Sequence, residues 1–453
     1  MILFFRKNAA IVYSVGVDQP LLLADIQKLK WLFGDAEPVE GATLPGLFIG
    51  PRKEMVSPWS TNAVEITQTM GIHGIHRIEE FRQVPSADVY HDRMLEMLYN
   101  GLDQELFTIH HQPDPIIEVD DIAAYNEKEG LALSEEEVQY LENVAAGLGR
   151  KLTDSEVFGF SQVNSEHCRH KIFNGTFIID GQQKERSLFQ LIKETSKKNP
   201  NFLVSAYKDN VAFIKGPRLE QFAPRRQDIP DYFAIEDFDS VISLKAETHN
   251  FPTTVEPFNG AATGSGGEIR DRLAGGKGSL PLAGTAVYMT SYPRLDGGRS
   301  WEKKFPARAW LYQTPEEILI KASDGASDFG NKFGQPLISG SLLTFEHFED
   351  NKKYAFDKVI MLAGGIGFGK LSDSQKGHLK AGNKIVVLGG DNYRIGMGGG
   401  AVSSVATGEY GNAIELNAIQ RSNPEMQKRV MNAIRAMVEA DRNPIITIHD
   451  HGA

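Results

Sequence analysis

Residues 245–272 read KAETHNFPTTVEPFNGAATGSGGEIRDR, and more of the architecture hangs on this stretch than on any other. A short apolar run, Val241, Ile242 and Leu244, leads into it and reaches two chemically active side chains, Glu247 and His249. Residues two apart share a face of a strand, so an acid and an imidazole are expected side by side at a strand end. The alternative is a plain exposed strand end. The segment Gly260, Ala261, Ala262, Thr263, Gly264, Ser265, Gly266, Gly267 follows and opens into Glu268, Ile269, Arg270 and Asp271. Read as a loop, its glycines let backbone N–H groups ring an anion. Arg270 offers a planar fork for phosphate, and Glu268 and Asp271 are hard oxygen donors suited to Mg²⁺. The combination points to nucleotide chemistry. A P-loop needs Ser or Thr after its Gly-Lys, whereas Gly276-Lys277 is followed by Gly278. No dinucleotide fingerprint opens a helix here either. The bland reading, a flexible turn of small residues, does not explain a charged tetrapeptide at fixed offset.

A chain of 453 residues is too long for one ordinary core, so two or more domains are expected. With 41% apolar and 24% charged residues, the composition is that of a soluble globular protein. No apolar run reaches membrane-spanning length, and MILFFRKNAA lacks the basic start of a signal peptide. The one cysteine, Cys168, excludes internal disulfides and suits a reducing cytoplasm. A net charge of −11 gives no footprint for nucleic acid.

Residues 1–110 read as a small α+β unit. Strands are expected at 11–17 and 75–81, and helices at about 22–33, 61–70 and 88–99. The prolines and acids of 111–130 suggest a linker. Capping boxes at Ser134/Glu137 and Thr153/Glu156 start two helices of a helical unit over about 131–200. From Val204, strand-like runs alternate with glycine turns, and Thr314-Pro-Glu-Glu317 starts another helix. After Gly367 a further α/β unit is expected. Its parts are a strand IVVLGG, the loop GMGGGA at 396–401, a helix opened by Asn423-Pro424 and a last strand at 445–448. That strand runs into His449-Asp450-His451 and the chain stops, which reads as truncation.

Two further constellations carry chemistry. Asn164-Ser-Glu-His-Cys-Arg-His170 is seven consecutive polar residues. His167 there suits a general base or an oxyanion donor; a polar surface turn is the equal alternative. His167 and His170 are too few ligands for zinc, and Cys168 lacks an orienting third group. Asp450, at the end of an apolar strand, suits Mg²⁺ binding or plain helix capping. Lys171, Arg272 and Lys277 are candidates for phosphate contact or simply solvated.

Taken together these blocks resemble phosphoribosylformylglycinamidine synthase of the large single-chain type. SQVNSEHCRHKIFNG (161–175) looks like its linker signature, and KAETHNFP with NGAATGSGGEIRD looks like its synthetase signature. PLAGTAVYMTSYPR, IMLAGGIG, GMGGGA and TIHD are similar to further blocks in the same order, and SPWSTNAVEI (57–66) to its amino-terminal domain. The resemblance implies an α+β / α/β multidomain fold. Its expected parts are an α+β amino-terminal domain (1–130), a helical linker domain (131–203), an AIR-synthetase-like ATP-binding domain (204–366) and the truncated start of that pair's second member (367–453). It implies an ATP- and Mg²⁺-dependent carbon–nitrogen ligase of purine biosynthesis, acting on formylglycinamide ribonucleotide with ammonia from glutamine. The catalytic candidates are His167 and His249, and the position two after His249, a second histidine in relatives, is Phe251 here. Gly260–Asp271 and Ser339, Gly340 and Ser341 are the nucleotide contacts; Asp271, Glu247 and Asp450 are the metal ligands. The missing partners are the second synthetase half and the glutaminase, so this piece alone is expected to be inactive with glutamine. Two other classes stay open: a nucleotide-binding module without turnover, and a different AIR-synthetase-like phosphotransferase.

Overall fold

The computed structural model describes all residues except 54–55, 92–95, 109–114, 132, 165–169, 308–312, 390–418, 420–421 and 451–453. His167, Cys168, GMGGGA and His451 therefore lie outside the described residues. The protein is a mixed α/β chain built on two six-stranded sheets.

The first sheet runs β3-β1-β2-β5-β4-β6 and is antiparallel throughout. Its strands are β1 (Ile2–Arg6), β2 (Ile11–Val17), β3 (Glu37–Val39), β4 (Leu44–Pro51), β5 (Ile75–Val84) and β6 (Glu96–Leu102). Alternation along the strands makes two cores. Phe5, Tyr13, Val15 and Val17 face helices α1 (Leu23–Leu32) and α2 (Pro58–Thr69). Ile2, Phe4, Val12 and Phe81 pack on the other face with Tyr99 and Leu102. Ser57 caps α2 by accepting the Ser60 N–H at 3.0 Å. The helix expected over 88–99 is not formed at its described end, because Glu96–Leu102 pairs with β4 instead. Cross-strand burial of Tyr99 outweighs a helical spacing that had no cap to fix it.

The segment expected as a linker contains helix α3 (Ile122–Glu129), capped by Asp121, whose carboxylate accepts the Ala124 N–H at 2.9 Å. Gly130, at φ 62°, ends it in the left-handed region. Val119 and Ile122 share a core with Leu131, Leu133, Leu141, Leu152 and Val157. That core joins α3 to α4 (Glu135–Leu148) and α5 (Asp154–Val163), so the expected boundary at 130/131 runs through one packed unit. Both predicted capping boxes are present, with reciprocal bonds at Ser134/Glu137 and Thr153/Glu156. Two further helices follow, α6 (Lys171–Asn174) and α7 (Leu188–Lys198), with a two-stranded hairpin, β7 (Ile178–Ile179) and β8 (Gln182–Gln183), between them.

The second sheet runs β13-β12-β16-β11-β10-β9. Its strands are β9 (Leu203–Ser205), β10 (Ala212–Pro224), β11 (Phe233–Thr248), β12 (Leu280–Thr290), β13 (Leu337–Thr344) and β16 (Ile360–Lys370). Only β12 and β13 pair in parallel, across helix α10 (Pro315–Phe333). Strands β9 and β16 cross the expected boundaries at 203/204 and 366/367. A small hairpin, β14 (Glu346–Glu349) and β15 (Lys352–Ala355), lies between β13 and β16.

Helices α8 (Asn250–Val255), α9 (Pro257–Leu273) and α11 (Pro424–Glu439) complete this unit. Ala262, Ile269 and Leu273 of α9 meet Phe329 and Phe333 of α10 and Met431, Ile434 and Val438 of α11 in one core. The strands expected at 385–390 and 445–448 are absent from the described residues. Ile385, Val386 and Val387 are exposed without a ladder partner. Ile445 and Ile448 pack against the α9–α11 core instead of a strand. Among the described residues no helix is long and apolar enough to cross a membrane.

Candidate functional site

The segment that reads as a phosphate loop is a helix. Gly260–Asp271 lies inside α9, and all of it except Arg270 is buried. Its N–H groups are consumed by helical bonds, beginning with Gly260 N–H to the Glu256 carbonyl at 2.8 Å, so the expected backbone cradle does not form. The glycines serve contact. A Cβ on Gly260 would lie 2.4 Å from the Pro252 carbonyl carbon, and one on Gly267 would lie 2.5 Å from Glu247 Oε1. Without side chains there, α9 lies directly on α8 and on the end of β11.

Glu268 is also not a free ligand. Its carboxylate takes the Arg272 guanidinium, with Nε at 2.7 Å, and the Gln335 amide at 2.7 Å, all buried. Burial pushes its pKa up while Arg272 opposes. Arg272 reaches on to the Ile366 carbonyl, tying α9 to β16. These two residues hold the helix down.

What α9 delivers is Asp271. Lys245 Nζ of β11 lies 2.5 Å from Asp271 Oδ2 and 3.8 Å from Glu247 Oε2. Asn210, in the turn before β10, donates its amide to Asp271 Oδ1 at 3.0 Å and to Asp450 Oδ1 at 3.4 Å. Arg270 Nε stands 4.0 Å from Asp450 Oδ2, and its Nη1 reaches Gln427 Oε1 of α11 at 3.4 Å. The predicted metal ligands Glu247, Asp271 and Asp450 thus come together from three separated segments. Burial lifts Glu247 to about 7; Lys245 opposes and Asp271 adds to the rise. Burial and then the Asp271 charge also raise Asp450. Two acids so close resist double ionisation.

His249 leaves the strand face that it was expected to share with Glu247. Strand β11 ends at Thr248, and His249 sits at the head of α8, its N–H donating to the Met361 carbonyl at 2.9 Å. Its carbonyl accepts the Thr253 hydroxyl at 2.6 Å. Ser339, Gly340 and Ser341 lie on β13 and line a separate recess of about 330 Å³ with Tyr288, Ser323 and Ser327. None of the acid-cluster residues lines that recess. Burial pushes the Tyr288 hydroxyl up to about 12.

Lys245 and Asn210 were not singled out from the sequence. Lys245 was legible, because a residue two before Glu247 on a strand shares its face. Asn210 carries no local signal; only the tertiary fold brings it in.

Among the described residues no group of three His, Cys, Asp or Glu side chains stands in a metal-holding arrangement. The Lys245 ammonium lies between Glu247 and Asp271. The donor set still fits a hard divalent cation: three carboxylates and an amide, two of the acids destabilised as anions in a way that a second positive charge would relieve.

Three family models match the chain. Residues 10–85 match the formylglycinamide ribonucleotide amidotransferase N-terminal domain, and residues 122–171 match the linker domain of the same family. Residues 380–453 match the C-terminal domain of AIR synthase related proteins. Among solved structures, PurL of Thermotoga maritima complexed with FGAR is 22% identical, with a TM-score of 0.37 over 67% of this chain and 37% of that one. The same protein complexed with ATP is 21% identical, with a TM-score of 0.33, over 67% and 36%. The tt0281 protein of Thermus thermophilus is 13% identical, with a TM-score of 0.25, over 42% and 52%. Scores this low carry no inference about the arrangement here. The chain spans little more than a third of the length of the Thermotoga relatives.

Proposed function

Because the chain belongs to the formylglycinamide ribonucleotide amidotransferase family, we propose that it takes part in the ATP-dependent amidation of formylglycinamide ribonucleotide to formylglycinamidine ribonucleotide. The reaction is a step of purine biosynthesis in the cytoplasm, with ammonia drawn from glutamine by a glutaminase partner. One observation carries the reading: Lys245, Glu247, Asp271 and Asp450 converge although they come from distant segments.

In this reading Glu247, Asp271 and Asp450 are the residues that would hold Mg²⁺, and a bound Mg²⁺ would supply positive charge to the ATP phosphates. Lys245, which lies between Glu247 and Asp271, would be free to turn its ammonium to a phosphate oxygen once a metal took those carboxylates. Arg270, at the same edge, offers a second cation. The amide oxygen of the substrate attacks the terminal phosphorus, the bond to the bridging oxygen breaks and ADP leaves. Ammonia then adds to the activated carbon and phosphate departs. His249 and His167 are assigned to the amide, as donors to its developing charge. The Ser339–Ser341 recess is assigned as a further nucleotide contact. Cys168 is not assigned as a glutaminase nucleophile.

Calorimetric titration with Mg-ATP tests the site. Saturable, Mg-dependent binding is expected, weakened roughly tenfold or more by Asp271→Asn, which removes a hard anionic ligand. Equal affinity in that variant would remove Asp271 from the site. In the enzyme with all its parts, His167→Ala should keep ATP binding and lose ammonia-dependent product formation. Binding with no turnover in any assembly would favour the nucleotide-binding module.

A further inference from the structure

Apolar packing fixes one side of the segment that delivers Asp450, since Ile445 and Ile448 lie on the α9–α11 core. No strand ladder among the described residues sets its register, so its polar end depends on side-chain ties. Lys376, in the turn after β16, makes two of them. Its Nζ lies 2.8 Å from Asp209 Oδ1 and 3.3 Å from His449 Nδ1. An ammonium only donates, so His449 Nδ1 accepts, and the other ring nitrogen carries its proton toward Thr447 Oγ1 at 3.3 Å. The next backbone N–H, that of Gly377, donates to the Ile446 carbonyl at 2.7 Å.

Asp209 spreads the hold. The oxygen that takes Lys376 also accepts the Asn210 N–H at 2.8 Å, and its other oxygen accepts the Gly276 N–H at 2.9 Å, in the turn after α9. Asp209 and His449 are the chain neighbours of Asn210 and Asp450, whose side chains meet at 3.4 Å. Lys376, Asp209, Asn210, Asp450 and His449 therefore close a ring, and Asn210 ties that ring to Asp271 at 3.0 Å.

We propose that Lys376 is a positioning residue of the acid cluster: acting through Asp209 and His449, its ammonium holds Asp450 against Asn210 and so opposite Asp271. The inference rests on reading those acids as a cation site. Without the ammonium, Asp209 keeps its two backbone N–H partners, whereas His449 loses the donor to Nδ1. The 449–450 end is therefore the one that moves. Partners behind a metal's own ligands set the orientation of those ligands, and losing one lowers metal affinity about tenfold or more.

The test uses the full chain and two measurements: Mn²⁺ titration by calorimetry, and hydrogen exchange of the Gly377 amide, whose bond to Ile446 reports whether the last segment is docked. Lys376→Met removes the ammonium and keeps most of the stem. Its Mn²⁺ affinity should fall about tenfold, and its Gly377 amide should exchange faster. In a Cys168→Ser background, Lys376→Cys should show the same losses, and alkylation to S-aminoethylcysteine, which restores an ammonium at lysine length, should recover both. Asn443→Ala cuts the bonds from Asn443 to the Lys277 carbonyl and to Asp373 Oδ2. It loosens neighbouring turns without touching Asp209 or His449, and should keep the parent affinity. Parent affinity in Lys376→Met, or a loss that Asn443→Ala shares and aminoethylation does not reverse, overturns the positioning role and leaves the cation site standing. A parent that takes up no Mn²⁺ removes the cation site instead, and the Gly377 amide then decides. Unchanged exchange in Lys376→Met overturns the hold on Asp450; faster exchange that aminoethylation reverses supports it.

Discussion

Glu247 is where burial and charge meet most directly in the acid cluster. Held near 7, it is largely protonated at pH 6 and largely ionised at pH 8. A divalent cation needs the ionised form, so the proton competes for the site. Mn²⁺ affinity by calorimetry is expected to rise between pH 6 and 8 and to level off above, because only below about 7 must a proton be displaced. Glu247→Gln should bind more weakly and flatten the slope; an unchanged slope would move the titration to another group. The three acids were picked out from the residues alone, Glu247 and Asp450 because each ends an apolar run and Asp271 because it closes the charged tetrapeptide after the glycines. What they do together was not legible. Sequence spacing could not show that Asn210 spans Asp271 and Asp450. Nor could it show that Glu268, three residues before Asp271, is locked to Arg272 and Gln335.

At the scale of elements, α9 shows why the loop reading failed. Glycine in a helix interior costs about 1 kcal/mol relative to alanine, so four glycines within eight residues argue locally for a loop. Packing overrides that preference, because a bulkier residue could not bring α9 onto α8 and Glu247. Gly260→Ala is therefore expected to destabilise by about 2–3 kcal/mol in denaturant titration, as overpacking against backbone. Gly147→Ala near the end of α4, where a Cβ meets nothing within 4 Å, should instead stabilise by about 0.5–1 kcal/mol. If the two changes have equal effects, the close-packing account of α9 is wrong. Glu268→Ala strands a fully buried guanidinium and should cost about 3–5 kcal/mol in the same assay. Elements with explicit start signals, such as those at Ser134, Thr153 and Thr314, were readable to the residue. Elements defined by partners were not: β6 needed β4, and the apolar run at 385–388 has no strand beside it among the described residues.

At the scale of the whole molecule, the texture of the sequence changes from paired strands to capped helices and then to glycine-punctuated strands, and packed cores rather than those compositional shifts group the residues: Val119 and Ile122 share one core with Leu131, Leu133 and Leu141. The first sheet closes both of its cores with residues before 110. Scanning calorimetry is expected to resolve at least two transitions, one belonging to residues 1–107 and reproduced by that segment alone. A single transition lost on dissection would mean that the sheets fold only as one. The acid cluster has a different history. Asn210 and Asp450 are separated by 240 residues, and Ile445 and Ile448 are needed to finish the core beneath them. At ribosomal speeds that gap lasts on the order of tens of seconds. Until Asp450 has been made, Asp271 and Glu247 stand on the nascent chain with Lys245 and Asn210, so the charge balance of the site is settled well after the strand and helix that carry them.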